Sequence, residues 1–136
     1  MDFRFDDEQL ALRDAIRRRS CFNIIHLETM LKIDVFVAGS DALAREELTR
    51  ARGHRVSDDP PRELVLASAE DIVLQKLHWY RLGGEVSDRQ WRDVLGVLAV
   101  RAGNLDTAYL ERWAGHLAVE ALLDRAMAQD AATRGA

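Results

Sequence analysis

At 136 residues and 48% hydrophobic content, the chain is long enough to bury one core without cross-links. Its 23 acids outnumber 19 bases, and the net charge of −4 excludes a global positive field that would recruit nucleic acid or an anionic membrane, so any polyanion contact has to be local. The single cysteine, Cys21, excludes an intramolecular disulfide and a multi-cysteine zinc site, and it fits a reducing compartment.

The start after Met1, Asp2-Phe3-Arg4-Phe5-Asp6-Asp7, lacks a basic, apolar leader, and no stretch reaches the ~20 apolar residues of a membrane span. A cytoplasmic location is therefore expected. Asp6 with Gln9 forms a capping-box pattern, and Leu10, Ala11, Ala15 and Ile16 recur at helical spacing, which predicts a helix over 7–19. Arg17-Arg18-Arg19 complement the negative end of that helix as a solvated last turn, or form a phosphate-binding patch.

Residues 22–28 and 31–37 are rich in β-formers and lie close together, predicting a hairpin whose turn, around Thr29-Met30, lacks Gly or Asn. In its second strand Ile33, Val35 and Val37 share one face, and Lys32, Asp34 and Phe36 share the other. An acid in such a strand has to be solvated, paired or bound to a metal.

Residues 42–52 predict a charged amphipathic helix with Leu43 and Leu48 directed to the core. A second strand pair, about 54–57 and 63–67, follows around Pro60-Pro61. Ser68 with Asp71 opens a helix that Gly83-Gly84 closes, with Ile72, Val73, Leu77 and Tyr80 as its apolar stripe. Ser87 with Gln90 starts a helix to Arg101, with Gly103 as its stop. Asp106 caps a segment carrying Tyr109, Leu110, Trp113 and Leu117. A break near 115–119 precedes a last helix over 119–127, and 131–136 are expected to fray. Trp79, Trp91 and Trp113 occupy helix positions where packing is the ordinary explanation. The four histidines lack zinc-ligand spacing, no Gly-x-Ser-x-Gly is present, and Gly83-Gly84 follows a helix instead of opening one.

Lys32-Ile33-Asp34-Val35-Phe36, the Ala67-Ser68-Ala69-Glu70-Asp71 helix entry, Lys76 and Arg89-Gln90-x-Arg92-Asp93-Val94 follow one another in an order that resembles the minimal prokaryotic nucleotidyltransferases. These belong to the DNA polymerase beta-like superfamily and include relatives of the abortive-infection toxins. The resemblance covers about residues 22–127. It implies an α+β domain, residues 1–130, with a small, mostly antiparallel sheet packed with helices. It also implies a toxin–antitoxin or mobile-element context and, in a complete enzyme, transfer of a nucleotidyl group from a nucleoside triphosphate with Mg²⁺.

By the same resemblance Asp34 matches the third metal-binding, catalytic carboxylate, and Lys76, Arg92 and Asp93 match nucleotide-binding positions. No Gly-Ser turn followed by an Asp-x-Asp pair precedes Lys32 in the sequence, so a domain lacking its first catalytic elements is expected, with a start upstream of Met1 as the alternative. One acid cannot organise metal-assisted phosphoryl transfer. Asp34 is then either a vestigial, ion-paired residue, with Lys76 or Lys32 as partner, or a metal ligand. Lys76 either snorkels over the core or serves the site, and Arg92-Asp93 either pair within the helix layer or contact nucleotide. The competing function is a non-catalytic interaction or regulatory module. An uncovered sheet edge favours a homodimer or another protein partner, with the helices bearing Trp79, Trp91 or Trp113 as the next candidate interface.

Overall fold

A computed structural model describes residues 7–135, with side-chain surroundings from Gln9 onward. The Phe3-x-Phe5 start and the Asp6 cap lie outside the described residues. The element order is α1 (Asp7–Arg17), β1 (Cys21–His26), β2 (Leu31–Phe36), α2 (Ala42–Arg50), β3 (Arg52–Asp58), β4 (Pro61–Leu66), α3 (Ala69–Leu82), α4 (Asp88–Val100), α5 (Thr107–Leu117) and α6 (Glu120–Arg134). The fold is α+β, as expected. The chain divides into two units, one reaching Arg45 and the other beginning at Glu46.

In the first unit α1 packs on β1, and β1 pairs antiparallel with β2 in a register that sets Phe22 opposite Val35 and Asn23 opposite Asp34. Residues 27–30 make the turn. Met30 adopts the left-handed conformation (φ 55°) that Gly or Asn usually supplies, and the Thr29 hydroxyl lies 2.8 Å from His26 Nδ1. Only Phe22, Val35 and Val37 are half-buried; the rest of both strands is exposed. The register sets Phe22 opposite Val35 and Ile24 opposite Ile33, so these residues and Leu31 share one face, while Ile25 and Phe36 lie on the other.

The single small sheet expected from the sequence is instead two separate two-stranded ladders, β1-β2 and β3-β4. The β3-β4 ladder is antiparallel, turns at Asp59-Pro60 and carries an irregularity between Arg55 and Ser57. Of its residues only Ser57 is even half-buried, so the expected covering by helices is not found on this ladder. Leu64-Val65-Leu66 again places apolar residues on both faces. In α2, Leu43 is buried but Leu48 is exposed, against the expectation that both reach the core.

The core of the second unit is helical. α3 packs on α4 and α5, and α6 packs on α4 and α5, closing a four-helix ring. Val73, Leu74 and Leu77 of α3, Val94 and Leu98 of α4, Leu110 and Trp113 of α5, and Leu122, Leu123 and Ala126 of α6 are buried within it. Each fully buried leucine contributes about 1.5–3 kcal/mol relative to exposure.

The caps follow the sequence closely. Ser68, Ser87 and Asp106 accept from the backbone N–H three residues on, at 3.1, 3.3 and 2.9 Å. Gly83 and left-handed Gly84 close α3. The α5–α6 corner turns on Ala118, left-handed at φ 54°, while Gly115 stays inside α5. The last helix runs to Arg134, beyond the expected end at Met127, because buried Asp130 and its 2.7 Å ion pair with Arg134 continue it.

Candidate functional site

Asp34 projects from the middle of β2 and is held within its own hairpin. Lys32 Nζ, on the same face two residues away, is 3.1 Å from Asp34 Oδ1, and the side-chain amide of the cross-strand residue Asn23 donates to the same oxygen. Of the alternatives weighed from the sequence, the ion pair with Lys32 is therefore present. Among the described residues no group of three or more His, Cys, Asp or Glu is placed to hold a metal ion.

Lys76 leaves α3 between buried Leu74 and Leu77 and crosses to α4, where its Nζ lies 2.7 Å from Asp93 Oδ2 and 3.5 Å from Gln90 Oε1. That hydrogen bond holds the Asp93 carboxyl below the usual carboxylate range against its partial desolvation, with the charges of Lys76, Arg89 and Arg92 adding to it. Lys76 and Asp93 thus join the two helices, while Arg92 is exposed and its Nε donates to the Asp88 carbonyl at 3.4 Å. Trp113 is in the core and Trp91 lies beneath the Arg125 guanidinium, 3.9 Å away, with its N–H donated to Gln129 at 3.0 Å. Trp79 departs from the packing expectation, being 48% exposed.

The most connected polar cluster forms where the sequence predicts only a helix start, at Ser68 and Asp71. Asp71, at the start of α3 and almost fully buried, uses both carboxylate oxygens. The Tyr109 hydroxyl donates to Oδ1 at 2.6 Å, and the Ser68 hydroxyl donates to Oδ2 at 2.5 Å. Its neighbour Glu70 accepts the Asp106 N–H on Oε1 at 2.9 Å and Arg50 on Oε2 at 3.0 Å. Arg50, at the end of α2, also stacks over the Tyr109 ring at 3.9 Å; its buried Nε makes no hydrogen bond, with Asp71 Oδ2 3.8 Å away.

Burial alone would raise the Glu70 carboxyl. The N–H groups of Asp106 and of Glu70 itself, the Ser68 hydroxyl and Arg50 together outweigh it and hold Glu70 below the ordinary range. Burial, then the bond to Asp71 and the Asp71 charge, push the Tyr109 phenol well above its ordinary value, so it remains a donor. A cluster whose acceptors are occupied and whose phenol stays protonated holds α2, α3 and α5 together as a clamp. The available signal was a pair of acids entering an apolar helix, together with a tyrosine on an apolar stripe whose hydroxyl requires a partner.

Beside this clamp lies a cavity of about 420 Å³, formed by the outer ends of β3 and β4, the start of α3 and the end of α4. Arg50, Arg52, His54 and Arg101 line it with a single acid, Glu70. No protein-family model, curated protein or solved structure matches the chain.

Proposed function

We propose that the chain is a nucleotidyltransferase-like domain that does not transfer nucleotidyl groups by itself and acts as a binding or regulatory module. The motif order from Lys32 to Val94 is the basis of the nucleotidyltransferase-like part, and the toxin–antitoxin or mobile-element setting rests on that resemblance alone. What supports the non-catalytic part is the pairing of the candidate charges: Asp34 with Lys32 and Asn23, and Lys76 with Asp93 at 2.7 Å. Each pair is a partner that Mg²⁺ or a triphosphate would have to displace or share, although both pairs are at least partly exposed. Incubated with Mg²⁺ and labelled nucleoside triphosphates, the chain should transfer no label to RNA or protein above background. Steady incorporation that disappears in Asp34→Ala would overturn this reading.

A second reading, self-association, is favoured by the first hairpin. Ile24, Leu27, Leu31 and Ile33 are all exposed there, Leu27 by 82%, beside the unpaired edges of a two-stranded ladder. Such an apolar, edge-bearing surface suits a second copy of the chain or another protein partner. Sedimentation at micromolar concentration should report a dimer; a monomer mass at every concentration would remove this reading.

A further inference from the structure

We infer that the cavity at the head of α3 is a binding site for a phosphate-bearing small molecule. This inference does not rest on the nucleotidyltransferase-like reading, and it uses residues distinct from Lys76, Arg92 and Asp93. The first observation is an uncompensated positive charge. Of the three arginines lining the cavity, Arg50 is paired, with Glu70 at 3.0 Å and with Asp71 and Asp106 at 3.8 and 4.0 Å, and among the described residues the other two have no carboxylate partner. Arg52 donates to the carbonyl oxygens of Thr49 and Ala51, at 2.8 and 3.1 Å, which fixes its guanidinium without neutralising it. Among the described residues Arg101 makes no ion pair, and the His54 ring adds a further nitrogen pair. Two arginines without carboxylate partners therefore face a cavity whose one acid, Glu70, is engaged by Arg50, in a chain whose net charge is −4.

The second observation is how the charges are set. They come from three separate elements: β3 supplies Arg52 and His54, the end of α2 supplies Arg50, and the end of α4 supplies Arg101. Arg101 is brought from about fifty residues away to join Arg50 and Arg52, and an anion among these like charges relieves their repulsion. Planar guanidinium groups suit phosphate oxygens because they can donate two parallel N–H bonds. Ser68 and Ala69 also line the cavity, but the α3 start is already capped by Ser68 and faced by Glu70 and Asp71, so the attraction for an anion rests on the arginines.

Leu66, Ile72 and Val97 form an apolar wall, and about 420 Å³ falls within the usual range for small-ligand sites. Together these features fit a phosphate group carrying a small organic body better than a bare ion, while leaving inorganic phosphate as the simplest ligand with the same chemistry.

Calorimetry at low ionic strength on the full chain tests this, using orthophosphate, pyrophosphate and a nucleoside monophosphate as probes. At least one should bind saturably at one site per chain. The Arg52→Gln/Arg101→Gln double variant should weaken that binding tenfold or more with its thermal melt unchanged, because both side chains are exposed and neither holds the core. Amide shifts on titration should centre on Arg52, residues 68–70 and Arg101. Saturation by the monophosphate alone would identify an organic phosphate as the ligand, and saturation by orthophosphate would identify the free ion. The inference is overturned if none of the three saturates, if the double variant binds as tightly as the parent, or if Lys76→Met abolishes binding while the double variant retains it.

Discussion

Ile33 in β2 and Leu74 in α3 are aliphatic residues of the same size, each in a segment whose pattern was legible beforehand, yet Ile33 is 50% exposed and Leu74 is fully buried. The difference lies in what covers each element. α3 gathers Val73, Leu74, Leu77 and Tyr80 on neighbouring turns, so packing against α4 and α5 covers them together. The hairpin also gathers Phe22, Ile24, Leu31, Ile33 and Val35 on one face, but two strands with α1 packed on β1 leave Ile24, Leu31 and Ile33 half or more in water. Burial follows from having enough neighbouring elements to cover an apolar face, and a matching period alone does not supply it.

The comparison is broken most directly by truncating one side chain in each region. Asp71→Ala removes the acceptor of Tyr109 and Ser68 and leaves Arg50 with less compensation, and it should cost about 3–5 kcal/mol in urea unfolding. Ile33→Ala should cost less than about 1 kcal/mol, since much of that side chain is already in water. Equal losses at the two positions would show that the hairpin is held as firmly as the helices.

Acid sharpens the same contrast. Glu70 and Asp93 are both held below their ordinary values in the folded chain, so the unfolded chain binds more protons as the pH falls. Their contribution is complete at neutral pH and is lost as the pH drops below about 4.5 through their folded values. Thermal melts between pH 6 and pH 3 should show this loss, and Glu70→Gln should flatten the acid limb. An unchanged acid limb in that variant would sink the assignment.

The smallest expected effect is at the α5–α6 corner. Ala118 sits at φ 54° and ψ 46°, a conformation that an L side chain resists, so Ala118→Gly should stabilise by about 0.5–1 kcal/mol after the entropy of the added glycine is counted. A lowered melting temperature would indicate that the Ala118 methyl makes contacts that outweigh the relief.

Much of the helical region could be read from local chemistry, because its signals lie within four residues of one another. Ser68, Ser87 and Asp106 marked three helix starts, and Val73, Leu77, Val94, Leu98 and Leu110 fell at buried positions. Leu74 escaped the predicted stripe because the neighbouring Lys76 interrupts the pattern. The long-range partners were not legible. Arg50 meets Glu70 across 20 residues and Tyr109 meets Asp71 across 38, and no local periodicity encodes such meetings. Of the four candidate site residues, Lys76 and Asp93 do meet one another, 17 residues apart. Asp34 instead takes its partners from its own hairpin, where the alternation of a strand had already placed Lys32 beside it.

The ring of four helices also has a consequence for synthesis. α3 touches α4 and α5, but its core has no fourth wall until α6 docks on both. Leu122, Leu123 and Ala126 are therefore needed to seal side chains made some fifty residues earlier. On the ribosome, Leu74 and Leu77 remain accessible to water and to chaperones until residues 120–134 have cleared the exit tunnel, so this part of the chain folds late and all at once instead of helix by helix.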